Sequence, residues 1–123
     1  MGTGYLLDTN VIIDFSSQKL PEKSHLLITE IIDTLPQISI INKIELLSFA
    51  NVTSQITAFT EEATIIYIND DIVVKTIDIR RKYRIKLPDA IIAATALIFD
   101  LTLVTHNITD FKKISGLKLI NSF

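Results

Sequence analysis

Short aliphatic runs alternate along this chain with longer segments whose apolar residues recur every three or four positions, and that alternation constrains the fold more than any other feature. The runs Tyr5 to Asp8, Gln37 to Ile41, Thr64 to Ile68, Leu101 to Thr105 and Leu117 to Ile120 read as strands. Between the first two, Val11, Ile12 and Phe15 mark a helix, and Leu27, Ile28, Ile31, Ile32 and Leu35 mark a second over Ser24 to Leu35, stopped by Pro36. Asn42 begins a helix carrying Leu46, Phe49 and Ala50, and Thr53 to Glu62 is a shorter, more polar one. Asn69 or Asp70 caps the next, which carries Ile72, Val73, Ile77, Ile79 and Tyr83. Pro88 suits a helix start, where its missing N–H costs nothing. Residues Asp89 to Phe99 are apolar nearly all round, with alanines at 90, 93, 94 and 96, so this helix is expected at the centre of the molecule. Asn107 to Ile114 is a short helix, ended by Gly116. Such alternation predicts an α/β fold with an open, mostly parallel sheet covered on both faces, in a single domain spanning residues 1–123.

A chain of 123 residues buries roughly two-thirds of the surface it exposes when unfolded, enough for one real core. That core must be aliphatic, since 48% of residues are hydrophobic and only 7% aromatic. The absence of Cys excludes disulfides, thiolate metal sites and a thiol nucleophile, and a reducing cytoplasm is the expected compartment. No apolar stretch approaches the roughly 18 residues a membrane span needs, and no export signal is legible. Residues Gly2 to Gly4 are compatible with an added segment.

The formal net charge of −2 is not the basic footprint of a protein that grips nucleic acid by charge alone. Contact with a polyanion would need a local patch or a bound cation. The densest basic stretch is Arg80, Arg81, Lys82, Arg84 and Lys86, followed by Lys112, Lys113 and Lys118. A solvated helix face explains either group equally well.

In a doubly wound sheet, ligands bind beyond the carboxyl ends of the strands, where strand order reverses. Asp8 ends the first strand, Glu45 follows the second, Asp89 opens the central helix and Asp110 follows the fourth strand. Singly, each has a structural explanation: Asp8 as a cap, Asn42 with Glu45 and Asn107 with Asp110 as capping boxes, Asp89 as an acid suited to a helix N-terminus. Together they describe a polyanionic crevice, which persists only if protonation or a cation relieves the repulsion. Oxygen ligands suit a hard divalent cation, which can activate water, neutralise a phosphate and stabilise a leaving oxygen. Zinc is disfavoured by the lack of Cys and the presence of only two His. His25 is read as a packing or surface residue. His106 lies close enough to the presumed crevice to touch substrate without a catalytic part. Asp14, Asp33, Asp70, Asp71, Asp78 and Asp100 are read as caps or solvated positions.

The segments Leu6-Leu7-Asp8-Thr9-Asn10-Val11-Ile12-Ile13-Asp14, Asn42-Lys43-Ile44-Glu45-Leu46-Leu47, Leu87-Pro88-Asp89-Ala90-Ile91-Ile92-Ala93-Ala94-Thr95-Ala96 and Leu103-Val104-Thr105-His106-Asn107-Ile108-Thr109-Asp110-Phe111 resemble the successive motifs of PIN domains. They are most similar to the VapC-type toxins of bacterial toxin–antitoxin systems, in the right order, from near residue 5 to the end. The resemblance implies a three-layer α/β/α sandwich, an endoribonuclease dependent on Mg²⁺ or Mn²⁺, a homodimer and a cognate antitoxin that blocks the site. It assigns catalytic and metal-holding parts to Asp8, Glu45 and Asp89, with Thr9, Asn10 and Thr105 as supporting polar residues. For the fourth position it leaves Asp110, with Asn107 as its partner or its substitute. His106 stands where similar toxins frequently carry Arg. The implied reaction is in-line hydrolysis of RNA to a 5′-phosphate and a 3′-hydroxyl, with Arg80, Arg81, Arg84, Lys86, Lys112 and Lys113 as candidate RNA contacts.

Two other classes compete. A phosphoacceptor signalling domain also gathers acids at strand ends, but it expects an acidic pair after the first strand, a lone Asp after the third and a later Lys. Here the third strand leads into Asn69-Asp70-Asp71, and the acidic pair is missing. A catalytically silent PIN-fold scaffold for RNA or protein would have lost site acids, and none is evidently lost.

Overall fold

The structure is a computed structural model describing residues 4–123. The sequence expectation for Gly2 to Gly4 therefore falls outside the described residues except at Gly4. There a Cβ would meet Leu101 Cδ2 at 2.7 Å and Gln37 Nε2 at 3.0 Å, while the Gly4 carbonyl accepts from Thr102 N at 3.0 Å. Gly4 is thus packed at the start of β1, where a larger residue would have to displace the Leu101 and Gln37 side chains.

Strands β1 (Tyr5–Leu7), β4 (Thr102–Thr105) and β5 (Leu119–Asn121) form a parallel ladder in the order β1-β4-β5, and β2 (Gln37–Ser39) pairs in parallel with β3 (Thr64–Ile66). The two ladders adjoin where β2 packs beside β1, and Gln37 Nε2 donates to the Tyr5 carbonyl at 3.3 Å. The chain therefore builds outward through β2 and β3 on one side of β1, then returns to build β4 and β5 on the other. That reversal puts the switch point between the carboxyl ends of β1 and β4.

Neighbouring strand residues point to opposite faces. Leu6 and Leu103 enter a core with Ile72, Ile79, Ile92, the alanines of the central helix and Phe111, from helices α5 (Asp70–Lys82), α6 (Leu87–Ile98) and α7 (Ile108–Phe111). Leu7 and Val104 enter a second core with Val11, Ile28, Ile38, Leu46 and Ile56, from α1 (Thr9–Ser16), α2 (Glu22–Thr34), α3 (Ile40–Leu47) and α4 (Ser54–Glu62). Two aliphatic cores separated by one sheet make the three-layer α/β/α sandwich that the alternating pattern implies.

Several boundaries differ from the sequence expectation for identifiable reasons. The second strand stops at Ser39 rather than Ile41, because Ser39 caps α3: its Oγ accepts from Ile41 N at 3.0 Å, and Asn42 Oδ1 accepts from Ser39 N at 3.0 Å. The capping box is therefore Ser39 with Asn42, and not Asn42 with Glu45. Helix α6 opens at Leu87, two residues ahead of Asp89, with Pro88 and Asp89 both in its first turn. The last strand is shifted to Leu119–Asn121 because Gly116, at φ 82°, turns the chain before it.

Candidate active site

Asp8 leaves β1 as the N-cap of α1 and is only 5% exposed. Its Oδ1 accepts from Thr9 N at 2.8 Å and from Asn42 Nδ2 at 3.3 Å, and its Oδ2 accepts from Thr105 Oγ1 at 2.7 Å. The capping part and the site part are thus played by different edges of one carboxylate. Burial pushes the Asp8 carboxyl above its ordinary range; the hydrogen bonds from Thr105 and Thr9 oppose that rise, and the nearby Glu45 charge adds to it.

Glu45 projects from the second turn of helix α3 and is held by Thr9, whose Oγ1 donates to Glu45 Oε1 at 2.6 Å. The same Thr9 oxygen accepts from Asn42 Nδ2 at 3.0 Å. Asn42 is fully buried, so its amide ties the β2–α3 junction to both Asp8 and Thr9. Sequence reasoning gave Asn42 only a capping part. The available signal was its position three residues after Ser39 at the end of a strand, ahead of an apolar stretch.

Asp89 reaches the cleft from the first turn of α6. Its carboxyl is pushed up to about 6, first by burial and then by the charges of Asp8, Glu45 and Asp110, with Lys86 acting in the opposite direction. The loop after β4 closes the site. Thr105 Oγ1 accepts from Asn107 N at 3.0 Å, Asn10 Oδ1 accepts from His106 N at 3.1 Å, and Asn107 Nδ2 donates to Asp110 Oδ2 at 3.0 Å. Asn107 therefore spends its amide on Asp110 instead of on a helix cap.

An open cleft of about 540 Å³ is lined by Asp8, Thr9, Asn10, Glu45, Asp89 and Asn107, with Ile13, Ser48 and Phe49 along one side. Asp110 lies outside that lining. It borders a neighbouring depression of about 480 Å³ with Arg80, Arg84, Ile85, Lys86 and Lys113. Arg81 and Lys112 do not line this depression, and the neighbouring Lys82 is paired with Asp78 at 3.5 Å. The His106 ring packs edge-on against Phe123 at 4.2 Å, and His25 stacks on Phe15 at 4.7 Å, remote from the acids. Asn69 caps α5 through Ile72 N at 2.8 Å, and Asp70 and Asp71 are exposed beyond β3, far from the switch point that a phosphoacceptor would require.

Among the described residues, no three acidic or histidine side chains are grouped closely enough to cage an ion by themselves. The donor set still fits a hydrated hard cation: all its atoms are oxygens, Asp8 Oδ2 keeps a lone pair, and none of the cleft acids forms a salt bridge among the described residues. Mg²⁺ usually takes one or two carboxylates directly and keeps its waters otherwise.

Fold and cleft together define a doubly wound parallel α/β domain with an acidic site at its switch point. A family model of the PIN domain matches residues 5–117. The chain belongs to the PIN-domain family. Among solved structures, a chain of a toxin–antitoxin complex from Klebsiella pneumoniae is 32% identical, with a TM-score of 0.77 and 98% of each chain covered. A chain of VapBC-1 from nontypeable Haemophilus influenzae is 27% identical, with a TM-score of 0.71, covering 95% of this chain and 96% of that one. A chain of the DNA-bound VapBC of Salmonella typhimurium shares the fold at 21% identity and a TM-score of 0.78, covering 98% of both. No curated protein sequence matches the chain. The first two likenesses align it with the VapC-type PIN proteins of toxin–antitoxin complexes. No helix among the described residues is long and apolar enough to cross a membrane.

Proposed function

We propose that this chain is an endoribonuclease dependent on Mg²⁺ or Mn²⁺ and is the toxin of a toxin–antitoxin pair. The observation that carries the reading is the cleft itself. Asp8, Glu45 and Asp89 arrive from three separate elements and share one opening with no salt bridge among the described residues, close enough that the charges of Asp8 and Glu45 help raise Asp89 to about 6. A cap or a solvated acid has no need of such company.

Asp8, Glu45 and Asp89 would hold the cation, with Asp110 behind Asn107 as a fourth acid; when bound, the ion supplies neutralisation of a phosphate and a water acidic enough to act near neutral pH. The chain's own polar residues set the geometry. Asn42 and Thr105 fix the two edges of Asp8, Thr9 aims Glu45, and Asn10 anchors the turn that carries Asn107. Arg80, Arg84, Lys86 and Lys113 line the adjoining depression and would take RNA phosphates, which reconciles polyanion binding with a net charge of −2. A cognate antitoxin that covers the cleft, and a homodimer, complete the reading.

Purified protein incubated with structured and unstructured RNAs, in Mg²⁺, Mn²⁺ or chelator, tests it. Internal cleavage that leaves 5′-phosphates and stops with chelator is expected. Intact RNA under all conditions would overturn the proposal.

A further inference from the structure

The cleft has chemically unlike flanks. On one side of the acids lies the cationic depression of Arg80, Arg84, Lys86 and Lys113. On the other, Ile13 and Phe49 form a wall shared with a second opening of about 440 Å³, which continues past Ser17, Ala50 and Val52. Phe49 is 50% exposed. It lies just past the C-cap of α3, Ser48, and lines the same cleft as Glu45. Leu46, next to Glu45 in α3, is fully buried. The chain has nine aromatic residues counting three Tyr and six Phe, and Phe49 is the aromatic that lines the acidic cleft.

We propose that Phe49, backed by Ile13, is a stacking platform for one unpaired nucleobase of the RNA next to the scissile phosphate. The inference rests on the ribonuclease reading and deepens it by naming the residue that would hold one base beside the acids. A base inside a duplex presents no free face, whereas a splayed base can lie on an aromatic ring. A strand crossing the acids with phosphates toward Arg84 and Lys113 leaves its adjacent base toward the apolar flank. Because every base has a π-face, this contact selects for strandedness more than for sequence.

Single-stranded oligonucleotides carrying 2-aminopurine at successive positions, bound to wild type and to Phe49→Leu and Phe49→Tyr in Ca²⁺, test this directly. Stacking should quench the fluorophore at one position in wild type and Phe49→Tyr. Phe49→Leu, which keeps an apolar side chain and the fold, should lose the quench and bind about tenfold more weakly. In Mg²⁺ or Mn²⁺ its KM should rise more than its kcat falls. Equal quenching and affinity in Phe49→Leu would overturn the platform while cleavage by wild type upholds the ribonuclease reading. Unchanged RNA binding with an altered oligomeric state would assign this wall to protein contact and overturn it as well. Failure of wild type to bind or cut any RNA would remove the ribonuclease reading and the platform with it.

Discussion

Thr105 donates its hydroxyl to Asp8 Oδ2 at 2.7 Å, joining the ends of two adjacent parallel strands that are 97 positions apart in sequence. The bond lowers the cost of keeping a buried carboxylate ionised, so it links the sheet's topology to the charge state of the site. Thr105→Val keeps shape and burial but removes the donor. It should raise the Asp8 pKa further and move the acid limb of the cleavage pH profile upward, with a stability loss of about 1 kcal/mol. An unmoved pH profile would show that this bond does not tune the acid.

Neutralising the acids should separate activity from stability. Asp89→Asn is expected to abolish cleavage and to leave stability level or higher, because it removes a charge repelled by Asp8, Glu45 and Asp110. Asp8→Asn should also abolish cleavage with little change in stability, since an amide oxygen can still accept from Thr9 N and Asn42 Nδ2. Asp8→Ala, which orphans those donors, should cost about 2 kcal/mol. Cleavage assays beside urea unfolding check all three, and full activity in either Asn variant would remove that acid from the site.

Asp89 also gives stability a pH dependence of definite sign. Its carboxyl titrates near 6 in the folded chain against 3.8 for the ordinary group, so between those values the folded state holds a proton that the unfolded state has released. Without a divalent cation, the stability this provides is full below about 4 and lost as pH rises through 6. Asp89 is only half buried, so the loss is discounted to about 1 kcal/mol. Urea unfolding at pH 4.5 and 7.5 should show a larger fall for wild type than for Asp89→Asn, and Mg²⁺ or Mn²⁺ should restore the difference at the higher pH.

Asn42 joins three elements through one buried amide, so its loss should be felt twice. Asn42→Ala leaves Ser39 N without its partner and frees both Asp8 and Thr9. A stability loss of about 2 kcal/mol and weaker cleavage are expected. Asn42→Asp, which adds a carboxylate beside Asp8, should lose more activity than Asn42→Ala. The reverse order would argue that the amide serves α3 alone.

The basic residues divide by position. Arg84→Gln and Lys113→Gln, in the depression, should each flatten the salt dependence of RNA affinity by a slope of about 0.7, whereas Arg81→Gln should not. Titrations in an Asp8→Asn background across salt measure this, and equal slopes for all three would make the stretch a solvated helix face.

The layers of the fold were legible because strands buried on both faces and helices with one buried face leave different periods in the sequence. Leu6 and Leu7 could not be sorted to their separate cores, since a continuous apolar run carries no record of which side each residue takes. The convergence of Asp8, Glu45 and Asp89 on one cleft was accessible from their placement just after strand ends or at a helix start. Asn42 was not, because its hydrogen bonds to Asp8 and Thr9 exist only once β2 lies beside β1. Nor was the division of the basic stretch, in which the helix end sends Arg80 and Arg84 toward Asp110 and leaves Arg81 outside that depression. The position of Asp110 behind Asn107, outside the cleft lining, likewise depends on the turn after β4 and not on spacing.

The bond from Thr105 to Asp8 has a consequence for how the protein is made. The strand that ends in Asp8 is synthesised before its ladder partner β4, and the hydroxyl that steadies Asp8 comes 97 positions after it. Contacts of such separation form only after a long loop has closed. A nascent chain that stops short of Thr105 has the first acids but no assembled cleft, so the chemistry proposed for that cleft waits on a strand made long after Asp8.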